Sequence, residues 1–266
     1  MDLKRILVVA NETKPHALQA VAKLKVWCQE RGIDAVAVGK PPADEEGAIV
    51  LSLGGDGTVL RAASLFEGTA IPILGINVGS LGFLTQAPLD KMEQALEQLL
   101  EGAYSVEERM RLGFRAQAVS GSVLNELVIS GDNEAGFCEV ELSWGDGQVA
   151  EFPGDGLILS TATGSTAYSL SAGGPIIVPP AACILATPHA SHRLGLRPIV
   201  FPPDEVLHVH ARSSVRLIAD GDLVGRMAEG RDVLVERFAV PTRLVRLGNA
   251  TPFFGVLNEK LNWAGT

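Results

Sequence analysis

The chain has 266 residues, 47% hydrophobic and 20% charged, a globular balance with apolar material for one large domain or two modest ones. Its formal net charge of −9 argues against a nucleic-acid or anionic-membrane surface, while a local anion site stays open. The three cysteines, Cys28, Cys138 and Cys183, are far apart and lack CxxC spacing, which fits reduced thiols and offers no zinc site. The apolar run at 6–9 is too brief for a signal peptide and no run approaches a membrane span, so the expected location is the cytoplasm.

In chain order, the apolar runs 6–9, 35–38, 49–53 and 71–76 predict strands buried on both faces of a parallel sheet. Ala17, Val21, Leu24 and Cys28 recur at helical spacing between the first two and predict an amphipathic helix ending near Gly32. Alternating strands and helices predict an open α/β domain, whose ligands bind beyond the carboxyl ends of the strands. There lies Gly54-Gly55-Asp56-Gly57-Thr58, followed by a helix-like segment at 59–66. Its glycines let backbone approach a phosphate, and the following helix start favours an anion. Asp56 is out of place in a pure phosphate cradle; it is a helix N-cap, or else a base or metal anchor. No GxGxxG follows the first strand and no GxxxxGK[ST] occurs, so ordinary Rossmann and P-loop sites are not supported.

The polar stretch 40–47 predicts a solvated loop. A second glycine-bearing turn at 77–84 makes a plausible second wall, with Phe83 available to a base or ring. Asp90 with Glu93 predicts a capping box for a helix whose apolar face is Met92, Leu96, Leu99 and Leu100, ended by Gly102. A domain boundary is placed near Tyr104.

Beyond it the helical period fades. Runs at 113–119, 122–129, 139–143, 206–211 and 215–218 predict strands of a β-sandwich, with Asp146-Gly147 as a two-residue hairpin loop. His208 and His210 share a strand face but have no third metal ligand nearby in sequence. Asn125-Glu126 interrupts an apolar strand, where polar side chains are costly unless paired or facing a ligand. The stretch 154–175 is dominated by glycine, small and hydroxyl residues, able to hydrogen-bond ribose, amide and phosphate groups, with Tyr168 offering a flat face to a purine.

These residues resemble the bacterial NAD kinases: Gly54-Gly55-Asp56-Gly57-Thr58, then Asn125-Glu126, then Gly154-Asp155-Gly156-Leu157 leading into Thr163-Gly164-Ser165-Thr166-Ala167-Tyr168-Ser169-Leu170-Ser171-Ala172-Gly173-Gly174-Pro175. The Gly-Gly-Asp-Gly turn alone is shared with diacylglycerol kinases, sphingosine kinases and 6-phosphofructokinases; the threonine–tyrosine stretch is specific. The resemblance extends over nearly the whole chain, including Arg197-Pro198-Ile199-Val200 and the closing stretch 254–263. It implies phosphoryl transfer from ATP, or polyphosphate in some members, to the adenosine-ribose 2′-hydroxyl of NAD, giving NADP. It further implies a divalent cation such as Mg²⁺ and a homodimer or homotetramer; the acidic charge and the lack of a membrane-length apolar run lead us to expect no nucleic-acid or membrane partner. The implied architecture is an α/β domain over 1–104, a β-sandwich NAD-binding domain over 105–240, and a tail, 241–266, that returns to the first domain.

Carried over by position, Asp56 is the base for the 2′-hydroxyl, Gly57 lies beside the dinucleotide, and Gly54 and Gly55 face the donor phosphates. Asn125 and Glu126 hold ribose and adenine, with Asp155 near the nicotinamide amide. Thr166, Ala167, Tyr168 and Ser171 line the adenine side opposite Phe83, and Ser169 and Leu170 complete that stretch. Ala190 is implied as a contact from a neighbouring subunit. Three departures stand out: Ala162 replaces a usual proline, Asp220-Gly221-Asp222 has Asp222 in place of a glutamine that contacts NAD, and the stretch 188–193 around Ala190 matches the family pattern only in part. The competing readings are a lipid kinase of the same superfamily, which the acidic charge and lack of a basic amphipathic helix disfavour, and a non-catalytic dinucleotide sensor.

Overall fold

The computed structural model describes residues 3–37, 46–117, 119–134 and 136–262. The chain divides into two compact units, Met1–Glu108 with Thr242–Thr266, and Arg109–Pro241. The first holds β1 (Arg5–Ala10), α1 (Pro15–Glu30), β2 (Asp34–Ala37), β3 (Ala48–Gly54), α2 (Asp56–Leu65), β4 (Ile73–Asn77), β5 (Ala87–Pro88), α3 (Met92–Leu100) and β6 (Tyr104–Arg109). The second holds β7 (Leu112–Ala116), β8 (Val119–Val123), β9 (Glu126–Gly131), β10 (Cys138–Trp144), β11 (Gly147–Gly154) and β12 (Gly156–Ser160). It continues with α4 (Tyr168–Ser171), β13 (Ile184–His189), β14 (Ile199–Phe201), β15 (Leu207–Ala211), β16 (Val215–Ala219), β17 (Asp222–Met227) and β18 (Arg231–Arg237). Finally β19 (Thr242–Leu247) and α5 (Phe253–Leu261) rejoin the first unit.

The sheet of the first unit has the order β2-β1-β3-β4-β19-β6, with β5 beside β4. β1, β3 and β4 pair in parallel, and β19 joins β4 in parallel at Leu244 and Ile73. Strand order reverses between β1 and β3, so the carboxyl end of β3 is the switch point where such sheets bind ligands. β3 and β4 are buried along their whole length, as continuous apolar runs require. β2 corrects the expectation of strands buried on both faces: it is the edge strand and is mostly exposed. α1 buries Ala17, Ala20, Leu24, Trp27 and Cys28, and the chain leaves it through Gly32 at φ +67.

The capping box at Asp90 is not formed. Residues Leu89–Lys91 make a 3-10 turn, and α3 starts after Lys91 with no side-chain cap. Leu100, expected on the apolar face, is exposed, and Ala95 takes its place beside Met92, Leu96 and Leu99. β6 begins at Tyr104 yet belongs to the first sheet, so the first unit continues to Glu108. Val38, the loop residues up to Glu45 and Trp263 lie outside the described residues.

The second unit is a pair of six-stranded sheets, β11-β10-β15-β18-β7-β8 and β14-β13-β12-β9-β16-β17, built from antiparallel pairs. Their apolar faces share one core, which includes Leu112, Phe114, Val140, Leu157, Leu217 and Val235. The run 113–119 breaks at Gln117, where φ is +47, and the run 122–129 breaks at a bend through Leu124 and Asn125. The expected Asp146-Gly147 loop is shifted by one residue. Trp144 pairs with Gly147, so the loop is Gly145-Asp146, with Gly145 supplying the positive φ of +56.

Candidate active site

In the first unit, β3 runs directly into α2 through Gly55, and Asp56 is the first helical residue. Its carboxylate makes no cap bond to its own helix, which removes the N-cap alternative. Instead Oδ2 accepts the N–H of Phe83 at 2.8 Å and Oδ1 accepts that of Leu84 at 2.9 Å. A single carboxylate thereby ties the glycine turn to the second turn. Gly82 makes room for it, since a Cβ there would stand 2.1 Å from Asp56 Oδ1.

The glycines of the turn differ in what they need. A Cβ on Gly54 would meet Thr58 Oγ1 at 2.0 Å, so the fold itself demands glycine. Gly55 and Gly57 face open space and have no positive φ. Nothing in the folded chain forbids a side chain there, which is how a surface kept clear for a ligand looks. Phe83, half-buried, lies 6.0 Å from the ring of Phe253, with Lys260 Nζ 5.4 Å from its centroid.

Sequence reasoning did not single out Asn77. Directly opposite Gly54 in the β3–β4 register, it is buried and donates from Nδ2 to Gly79 O at 2.7 Å. Its Oδ1 has no partner among the described residues, and the residue lines a cavity of about 620 Å³ with His16, Lys23, Asp90 and Met92. A lone asparagine in an apolar strand end carried no periodic signal.

In the second unit, Asn125 and Glu126 are both 8% exposed. They do not alternate within one strand: Asn125 sits in the bend and Glu126 opens β9. Asp220 holds this bend, accepting the N–H groups of Leu124, Asn125 and Glu126 at 2.8, 2.8 and 3.1 Å. Burial pushes the Glu126 carboxyl up to about 7, the Asp220 carboxylate adds to the rise, and the backbone N–H of Tyr168 opposes it. Glu126 Oε2 has no partner among the described residues.

Much of the hydroxyl-rich stretch is spent on its own structure. Thr161 Oγ1 donates to Leu124 O at 2.6 Å and accepts from Gly164 N at 3.1 Å. Ser165 Oγ donates to Ala162 O at 2.7 Å, closing the turn at the position where the resemblance leads one to expect proline. Ser169, fully buried, is bonded to Thr187 at 2.8 Å. Thr163 accepts from Arg109 at 3.2 Å. Gly164 packs on the bend so tightly that a Cβ would lie 2.2 Å from Asn125 O. The stretch therefore joins Asn125, Glu126 and Tyr168 in one place. Thr166, Ala167 and Leu170 are half-buried there, and Tyr168 and Ser171 are exposed.

His189, another residue missed from sequence, links two expected ones. Its Nε2 lies 3.0 Å from Tyr168 Oη, and its carbonyl accepts the N–H of half-buried Asp155 at 3.0 Å. Ala190 follows at φ +46, exposed. Asp222 is exposed at the start of β17, one residue beyond the Asp220-Gly221 turn. His208 faces solvent and His210 pairs with Asp232 at 2.7 Å. Among the described residues no group of three or more His, Cys, Asp or Glu side chains could hold a metal.

The α/β unit with a glycine–aspartate turn at its switch point and the all-β unit with a buried amide–carboxyl pair are the two domains of a kinase family. Residues 7–104 match the ATP-NAD kinase N-terminal domain and residues 124–247 the ATP-NAD kinase C-terminal domain. The NAD kinase of Heliobacterium modesticaldum is 38% identical, over 96% of this chain and 97% of its own. That of Moorella thermoacetica is also 38% identical, over 99% of this chain and 91% of its own. Among solved structures, an NAD kinase from Archaeoglobus fulgidus in complex with ATP has a TM-score of 0.78 at 27% identity, covering 96% of this chain and 98% of that one. Yeast NADH kinase complexed with NADH shares the fold, with a TM-score of 0.87 at 20% identity over 100% and 89% of the two chains. The chain belongs to the NAD kinase family, and is an enzyme that phosphorylates NAD to NADP.

Proposed function

We propose that Asp56 is the general base of this reaction, with ATP as donor and the adenosine-ribose 2′-hydroxyl of NAD as acceptor. The hydroxyl oxygen forms the new bond to the γ-phosphorus, the bond from that phosphorus to the β,γ-bridging oxygen breaks, ADP leaves, and the hydroxyl proton passes to the Asp56 carboxylate. The observation that carries this reading is the fixing of that carboxylate by Phe83 and Leu84 N–H groups, beside two glycines whose missing side chains the fold does not need. A base held by two amides keeps its direction as charge moves, which is what phosphoryl transfer chiefly asks of a protein.

In this reading Gly54 and Gly55 face the donor phosphates, and Gly57 and Phe83 lie against the dinucleotide. Asn125 and Glu126 hold adenine and ribose, Thr166, Ala167, Tyr168, Leu170 and Ser171 line the adenine side, and Asp155 takes the nicotinamide amide. Ser169 supports that stretch through Thr187. Asp222 replaces a glutamine contact, and Ala190 reaches a neighbouring subunit of a cytoplasmic homodimer or homotetramer. Mg²⁺ enters as the counter-ion of the nucleotide; the described residues offer no cluster of their own for it, and no step is assigned to it.

Asp56→Asn tests the base. It should retain fold and NAD binding while turnover, followed with an NADP-specific dehydrogenase, drops by about 10²–10⁴-fold. Near-normal NADP formation by the variant sinks the assignment.

A further inference from the structure

We infer that Asp220 is a positioning residue for the acceptor, holding the Asn125–Glu126 bend in the shape that presents both side chains to NAD. The inference rests on the reading that this pair binds NAD.

The bend exists because the chain leaves β8 and enters β9 through two residues outside any ladder. The N–H groups of these two residues, Leu124 and Asn125, lack strand partners, that of Glu126 at the start of β9 turns the same way, and buried amides without partners are costly. Asp220 supplies all three, and the return bond from its own N–H to Glu126 O at 3.1 Å closes the arrangement. The residue is built for this place. Ala219 pairs with Asp222, so Asp220-Gly221 is a two-residue hairpin loop with φ of +47 and +96, the conformation that Asp-Gly adopts most readily.

Were Asp220 only a turn former, its carboxylate would have no reason to be part-buried. Burial raises its pKa against the pull of the three N–H groups and of the Arg111 guanidinium, itself fully buried and bonded to Ser122 Oγ at 2.7 Å. The carboxylate is thus held by the three N–H groups of the bend and feels the charge of a buried cation. Among the described residues the charge that acts on Glu126 is that of Asp220, on which Arg111 acts in turn; Ser160, opposite on β12, is neutral, and Tyr168 contributes its N–H.

Asp220→Asn separates the two roles, because Asn-Gly forms the same hairpin loop while an amide offers one acceptor oxygen in place of two. The folded variant should show a KM for NAD raised about tenfold and a KM for ATP within twofold of wild type. The inflexion in the pH dependence of the NAD KM should move to lower pH, because the charge beside Glu126 is gone. An NAD KM within twofold of wild type, or equal rises for NAD and ATP, overturns the inference. Asn125→Ala is the control: if it raises the NAD KM and Asp220→Asn does not, the positioning role fails alone, and if neither does, the assignment of the pair to NAD fails. Should Asp220→Asn not fold, hydrogen exchange of the wild-type enzyme decides. The amides of 124–126 must be protected and shift together as one carboxyl titrates; exchange at the unprotected rate overturns the inference.

Discussion

Gly54 and Gly57 look alike in sequence and differ in physical meaning. Gly54 is pressed against Thr58, so Gly54→Ala should lower the thermal midpoint, read by calorimetry. Gly57 faces open space in the first turn of α2, and there Gly57→Ala should leave the midpoint unchanged or raise stability by up to ~1 kcal/mol while reducing NADP formation. Equal activity for Gly57→Ala and wild type would show that the space belongs to no ligand. Glu126 carries a pH signature. Its folded pKa of about 7 exceeds the ordinary 4.5, so its stabilising contribution is whole below 4.5 and is lost as pH rises through about 7. Between pH 5 and 8 the wild type should lose roughly 2–3 kcal/mol relative to Glu126→Gln in urea unfolding. Asp56 stood out from the sequence because a carboxylate among glycines is chemically odd. Its anchors did not, since Phe83 and Leu84 lie in a turn that only tertiary structure brings back to it.

At the scale of elements, the long apolar strands were legible because burial on both faces writes itself as a continuous run, as in β3 and β4. Short hairpins were less so: Asp146-Gly147 suggested a loop, yet the pairing of Trp144 with Gly147 moved it by one residue. Asp220-Gly221 forms the same kind of loop, with Ala219 pairing to Asp222 across it. The hydroxyl-rich stretch stood out by its composition, but not the division of labour inside it. Thr161, Ser165 and Ser169 hold the segment, while Thr166, Tyr168 and Ser171 are less buried. Gly164→Ala tests that division, because its Cβ would strike the backbone of Asn125, where no side chain can yield. It should lower the thermal midpoint by several degrees and raise the NAD KM together, whereas Ser171→Ala should leave the midpoint unchanged.

On the scale of the whole molecule, the first unit is not a contiguous piece of chain. β19, from Thr242 to Leu247, lies between β4 and β6, and α5 brings Phe253 to Phe83. A fragment ending at Glu108 lacks this strand and uncovers the β4 edge. It should be unfolded or aggregated by circular dichroism and size exclusion, and supplying the missing segment only as a separate peptide carries the added entropic cost of association. During synthesis, then, the unit that begins first is completed last. Asp56 leaves the ribosome early, but the sheet behind it waits for nearly two hundred further residues, roughly 10–40 s at ordinary elongation rates. A chain terminated early thus has no finished first unit, so its Asp56 turn lacks the strand and helix that complete its surroundings.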